Sequence, residues 1–165
     1  IPNITDGDQW GNLSTGAWCN YDNDSQYDST YGKLYNWFAV DNSRNVCPTG
    51  WHVPTDAEWT VLTDYLAANG HSGNEGKALK STSGWNTDFL GNGGNGTDDY
   101  GWNGLPGGKR VTNGGFHFVG NYGFWWSFSL YGADDAWGRS LSYDSGNVDR
   151  SNDYRLGLSV RCLRD

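Results

Sequence analysis

Residues 47–66 read CPTGWHVPTDAEWTVLTDYL, and the reading of this stretch decides the fold. Trp51, His52 and Val53 predict a short strand. Pro54 ends it, because proline has no N–H for a ladder and holds the residue before it extended. Thr55 then opens a helix. Its hydroxyl is placed to accept from the Glu58 N–H, while the Glu58 carboxylate accepts from the Thr55 N–H, which is the reciprocal capping box T-x-x-E. Asp56 and Glu58 put negative charge at the positive end of the helix dipole. Trp59, Leu62 and Leu66 recur at helical spacing with Val61 and Tyr65 beside them, so the spacing predicts one apolar face. Asn69-Gly70 supplies the stop. Trp51 and Trp59 are read as packing residues of this unit.

Composition sets the limits around it. A chain of 165 residues defaults to one domain, residues 1–165, long enough to bury a core. Ten Trp, ten Tyr and six Phe against no Met imply an aromatic core, whose N–H and O–H groups need partners. The 25 Gly, among many Asn, Asp and Ser, predict a loop-rich fold with tight turns. The net charge is −8, and 17 of the 19 acids are Asp, which favours caps and turns over long helices. Nucleic acid and anionic membranes are therefore not expected as partners. The acidity reads as what keeps a secreted protein soluble. No run approaches the roughly 20 apolar residues of a membrane span, so no membrane insertion is expected, and no signal peptide is visible. A start at Ile1-Pro2 without Met reads as a mature or trimmed chain, with room for a longer parent. Cys19, Cys47 and Cys162 form no CxxC or Cys/His pair, so zinc is not expected. One disulfide with a leftover thiol, or three free thiols, both stay open.

Along the chain, Trp18 to Tyr21 reads as a strand and Asp22-Asn23-Asp24-Ser25 as a turn. Residues 31–40, YGKLYNWFAV, predict one amphipathic helix of about three turns. Residues 76–79 predict a helical turn. Residues 81–115 are mostly loop, with Trp85, Phe89, Leu90, Tyr100, Trp102 and Leu105 expected to pin it into the core. Strands follow at 116–118, 123–127, 137–143 and 158–163. In the third, Trp137, Arg139, Leu141 and Tyr143 share the face read as inward, with Arg139 capping the edge or pairing with an acid. Gly138, Ser140, Ser142 and Asp144 share the other, small and polar face.

Catalytic patterns are missing. His52 reads as a hydrogen-bonded structural residue, His71 as solvated and His117 as pointing outward. There is no G-x-S-x-G, HExxH or phosphate loop. Glu58 is used as a cap and Glu75 sits in a loop, while Asp98-Asp99 and Asp134-Asp135 read as solvated turn acids. With no convergent acid, base and nucleophile, the chain reads as non-enzymatic, with no catalytic residues. Calcium is the one cofactor considered. Oxygen ligands are plentiful, as at Asp98-Asp99, but no ligand spacing is diagnostic, and Asp22 to Ser25 lacks the glycine and closing Glu of an EF-hand.

The segments GKLYNWFAV, CPTGWHVPTDAEW, LKSTSGWN, GLPGGKR, GFWWS, AWGRSL and LSVRCLRD occur in this order over nearly the whole chain. Together they resemble the Fibrobacter succinogenes major paralogous domain. HVPTDAEW is also similar to the LPTEAEW signature of the formylglycine-generating-enzyme superfamily. The resemblance implies an α+β, C-type lectin-like fold. That means two helices around a small twisted antiparallel sheet, long structured loops, and N- and C-termini paired in the sheet. It implies a disulfide between Cys47 and Cys162. It does not carry over the oxidase activity, which needs a closely spaced reactive cysteine pair near the C-terminus where this chain has Cys162 alone. The EPN, QPD and WND tripeptides of sugar-binding C-type lectins are absent too.

Binding remains. Residues 125–156 offer a surface with Trp126, Phe128, Leu130, Tyr131 and Asp135, then Gly138, Ser140, Ser142 and Asp144, then Asp149, Ser151, Asn152, Asp153, Tyr154 and Leu156. Apolar side chains displayed in a turn mark partner sites. The arrangement resembles the variable proteins of diversity-generating retroelements, whose changeable residues lie near the C-terminus on a fixed strand framework. Their adenine-directed mutagenesis, typically of Asn codons, does not produce Lys, Glu, Gln, Met or Trp. From Arg110 to Asp165 this chain has no Lys, Glu, Gln or Met. The expected function is a receptor or adhesion module for a protein or glycan on another cell or particle. A carbohydrate-adhesion or structural module and a divergent oxidase-like enzyme are the alternatives. The expected location is extracellular, on a cell surface or on a virus particle.

Overall fold

The computed structural model describes residues 1–42, 46–132, 135–153 and 155–165, with Asn152 and Asp153 described by backbone alone. In chain order the elements are α1 (Gly7–Gly11), β1 (Trp18–Cys19), α2 (Asp28–Tyr31), β2 (Leu34–Tyr35), α3 (Trp37–Val40), β3 (Trp51–His52), α4 (Asp56–Leu66), α5 (Glu75–Leu79), β4 (Gly107–Arg110), β5 (Phe116–Val119), β6 (Tyr122–Tyr131), β7 (Asp135–Ser142), β8 (Asp149–Asp153) and β9 (Leu163–Arg164). The architecture is mixed α and β.

α4 starts where the capping box puts it. Glu58 N donates to Thr55 Oγ1 at 3.2 Å, and Thr55 N donates to Glu58 Oε2 at 2.8 Å. The helix ends at Leu66 in a wide turn that Gly70 closes at φ 96°. Trp59 and Leu66 are buried against Leu79, Trp85, Trp125 and Leu141. Each such side chain contributes on the order of 1.5–3 kcal/mol by leaving water. Val61 and Tyr65 lie outside this stripe and are exposed, and Trp51 is 41% exposed where Trp59 is buried.

The main sheet runs β5-β4-β6-β7-β8. Its pairs are antiparallel except β4 with β6, which is parallel. Both faces of its centre are covered. Trp125 and Leu141 pack against α4, while Trp126 and Ala136 pack against Trp37, Val53, Leu156 and Leu158. The small residues of β7 are buried, not displayed, with Gly138 under the 156–158 segment. Gly138 shows how close that cover lies, since a Cβ there would sit 3.6 Å from Leu158 Cδ1.

Several expectations need correction. Residues 31–40 are not one helix: Gly32 adopts φ 71°, closing α2, and Leu34–Tyr35 pairs with β1 before Asn36 caps α3. α4 is the one helix longer than five residues among the described residues, so the second long helix is absent. Residues 158–163 are not one strand. Leu158 and Ser159 make isolated bridges to Tyr35 and Trp125, and only β9 pairs regularly, with β3. The termini do not pair with each other, because Asn3 bridges to Trp18. In the long loop Trp85 is buried and Trp102 and Leu105 are partly buried, but Tyr100, Leu90 and Phe89 are exposed, Phe89 at 94%.

Covalent and ionic anchors hold the loops. Cys47 and Cys162 form a disulfide with Cα atoms 5.8 Å apart across 115 residues. It ties the segment before β3 to the segment before β9. Arg110 is fully buried and donates to the carbonyls of Ile4 at 2.6 Å, Thr5 at 2.8 Å and Gly114 at 3.1 Å. Its guanidinium lies 4.5 Å from the Trp10 ring and 4.9 Å from Phe116. Lys80, also buried, holds the carbonyls of Ser142 and Ser145. Cys19 is a free thiol with no exposed surface, and burial pushes it up to about 11 despite the opposing Arg110 charge. The thiolate is the reactive form. Folded protein is therefore expected to resist iodoacetamide at pH 8, with one thiol labelled only after denaturation; rapid labelling of the folded state would contradict this burial.

Candidate binding surface

Asp56 organises the C-terminal surface. It is the first residue of α4, so the helix aims its carboxylate across β7 and β8. Asp56 Oδ1 meets the Arg139 guanidinium at 2.7 Å, and the carboxylate receives Arg150 at 2.9 and 2.6 Å. Burial raises the Asp56 carboxyl, but the hydrogen bonds from Arg150 and Arg139 outweigh it and hold it below the usual value. Arg150 then lies flat on Trp137, with Cζ 3.4 Å from the ring centroid, and Tyr131 packs on the same indole at 4.4 Å. Stacked and charge-fixed side chains have little freedom left to lose on binding.

The hairpin tip is fastened separately. The register of β6 and β7 shifts between Trp126 and Leu130, which frees the intervening residues from the ladder. Phe128 N donates to Pro54 O at 2.8 Å, and Asp56 N donates to Ser129 Oγ at 3.0 Å. The bulge thus re-aims the strand. Phe128, Leu130 and Tyr131 remain 49%, 56% and 48% exposed on a strand end anchored at Phe128 and Ser129. Beside this ledge, Thr60, Thr63, Asp64, Glu75, Asn147 and Asp149 line an open polar cleft of about 490 Å³.

The sequence profile of the Fibrobacter succinogenes major domain matches residues 1–164. The chain belongs to that family. No curated protein and no solved structure matches it.

In this Fibrobacter succinogenes major domain the expected surface residues separate into two sets. Phe128, Leu130, Tyr131, Asp144, Asp149 and Ser151 are exposed, and Asp135 is half-buried. Trp126, Gly138, Ser140, Ser142 and Leu156 are buried, which corrects the expectation that they lie on the surface. Trp126 is the core of one face, with its indole N–H donating to Tyr35 O at 2.7 Å. The serines are buried, and Ser142 Oγ donates to Asp144 Oδ1. Tyr154 and Asp134 fall outside the described residues, as do the side chains of Asn152 and Asp153. Sequence reasoning missed Asp56 as a hub and Trp137 and Arg150 as parts of the ledge. The available signal was an Asp opening a helix in a chain with two arginines, Arg139 and Arg150, flanking a turn.

The Fibrobacter succinogenes major domain places its histidines apart. His52 bridges two acids, with Nδ1 2.6 Å from Asp165 Oδ1 and Nε2 3.0 Å from Glu58 Oε1. His71, expected to be solvated, is half-buried against Tyr100 and 3.7 Å from Asp99. His117 is exposed. Among the described residues no group of three or more His, Cys, Asp or Glu is placed to hold a metal. Asp98 instead accepts from Asn103 N at 2.6 Å, and Asp99 from Thr97 Oγ1 at 2.9 Å. Cys162 is oxidised in the disulfide, so it offers no thiol. Among the described residues no helix is long and apolar enough to cross a membrane.

The His52 clamp gives a pH prediction. The hydrogen bonds to Asp165 first, then Glu58, raise the imidazole above its usual 6.5. A group raised on folding stabilises fully below its unfolded value and loses that effect as pH rises through the folded one. The melting temperature is therefore expected to fall between about pH 6 and pH 8, and His52→Gln to flatten that part of the profile. An unchanged slope in His52→Gln would remove the clamp from the explanation.

Proposed function

We propose that this domain is a non-enzymatic ligand-binding module that recognises a protein or glycan on another cell or particle through the edge formed by β6, β7 and β8. The observation that carries the reading is Tyr131 and Arg150 packed on Trp137 and held through Asp56, with exposed Phe128 and Leu130 on the same strand as Tyr131. Exposed aromatics with an arginine are the side chains that dominate recognition surfaces. The oxidised Cys47–Cys162 pair fits an extracellular or surface-displayed location.

The finer reading of the fold is C-type lectin-like. It is supported by the two-sided core, the long irregular 81–106 segment and the closure of the C-terminal segment by a disulfide. The finer reading of the function is a retroelement-diversified variable protein. It is supported by exposed residues such as Phe128, Leu130, Tyr131, Asp149 and Ser151 alternating with buried framework such as Trp126, Gly138, Ser140 and Leu156. A carbohydrate ligand is the second reading, favoured by the polar cleft next to the aromatic ledge.

Panels of surface proteins and of glycans, the latter with and without EDTA, test the proposal. Binding lost in Tyr131→Ala, with the melting temperature within about 2 °C of the parent, is expected for a surface residue. Binding unaffected by Tyr131→Ala and Arg150→Ala would place the site elsewhere. A near-identical template repeat beside a reverse transcriptase, differing at adenines in codons 126–156, would establish diversification; a genome without one would remove it.

A further inference from the structure

A second site lies on the other flank of α4. A cavity of about 220 Å³ is lined by Pro54, Glu58, Trp59, Leu62, Trp102 and the 161–163 segment. It shares no side chain with the Tyr131 ledge, which meets it only at the Pro54 carbonyl that holds Phe128 N. Its walls are chiefly indole, leucine and proline. An apolar cavity of about 150 Å³ is enough for benzene, so this one has room for a single ring with a small substituent.

Its polar groups are unequal. Glu58 is fully engaged: one carboxylate oxygen meets His52, and the other accepts from Thr55 N and Thr55 Oγ1. Arg161 is not. Its guanidinium lies 4.7 Å from the Trp102 ring, and among the described residues it has no hydrogen-bond acceptor and no carboxylate within ion-pair distance. Trp59 lines the cavity with its ring and is 3% exposed, with its indole N–H sealed from the surface. Arg161 is half-buried, and a charged donor partly withdrawn from water favours a paired acceptor. One unpaired cation thus borders an apolar space.

We propose that this cavity binds a small monocarboxylate with an apolar body, the carboxylate pairing with Arg161 while the body sits between Leu62, Trp102 and Pro54. A neutral molecule of the same shape leaves the guanidinium unpaired. Charge-assisted hydrogen bonds are about twice as strong as neutral ones, which makes the acid the preferred form.

The test is a titration of the ¹⁵N-labelled domain with phenylacetate and with phenylacetamide, following the Trp indole N–H signals. A saturable shift of the Trp59 signal is expected with phenylacetate, and affinity about tenfold or more weaker for the amide. Arg161→Gln should remove that preference. Leu62→Trp, which fills the cavity and leaves Arg161 in place, should abolish binding of both. No Trp59 shift up to about 10 mM phenylacetate, or equal affinities for acid and amide, would overturn the proposal. Either result leaves the Tyr131 surface untouched, because the two sites share no side chain.

Discussion

Arg110→Ala is expected to destabilise the domain by about 3–5 kcal/mol, among the largest effects of any single substitution. The side chain is fully buried, so its removal leaves a cavity between Trp10 and Phe116. It also takes a charged donor from the carbonyls of Ile4, Thr5 and Gly114, of which Thr5 keeps a hydrogen bond from Asn23 Nδ2. Hydrogen bonds to charged groups contribute about 1.5–3 kcal/mol each, and water entering the cavity recovers only part of that. Arg110→Lys should not rescue, because one ammonium cannot span three carbonyls with the geometry of a planar guanidinium. Urea unfolding followed by tryptophan fluorescence measures the loss. A change below about 1 kcal/mol would show that the N-terminal segment is held in another way.

Reduction of the Cys47–Cys162 disulfide is expected to cost about 4–5 kcal/mol, because the loop it closes spans 115 residues and long closed loops lose most entropy in the unfolded chain. Unfolding midpoints with and without a phosphine reductant compare the two states directly. The double variant Cys47→Ala/Cys162→Ala separates the cross-link from reductant effects and should match the reduced parent. Equal midpoints for oxidised and reduced protein would contradict the cross-link's role. Cys19 should stay unlabelled in the oxidised protein throughout.

Much of the scaffold was legible. T-x-x-E is a local code, and Thr55 and Glu58 satisfy each other whatever surrounds them. Leu34 to Val40 was not legible, because its apolar spacing fits a helix while Gly32 and Asn36 cut it into a strand and a short helical turn. Alternation in β7 identified two faces but not their cover. Gly138, Ser140 and Ser142 look like a solvent face, yet all three are buried, and Leu158 returns over Gly138 from outside the sheet. That return is a long-range event with no local signal. The ledge was half legible. Phe128, Leu130 and Tyr131 announce themselves as misplaced apolar residues. Trp137 and Arg150 depend on Asp56, 94 residues before Arg150 and on another element.

The account divides the chain into a fixed framework and an adaptable edge, and replacement tolerance measures that division most directly. Two display libraries would be scored for protease resistance. One randomises Phe128, Leu130, Tyr131, Asp149 and Ser151, and the other randomises Trp126, Gly138, Ser140, Ser142 and Leu156. Most members of the first should stay folded and most of the second should not. Equal tolerance in the two libraries, or collapse of the first, would contradict the account.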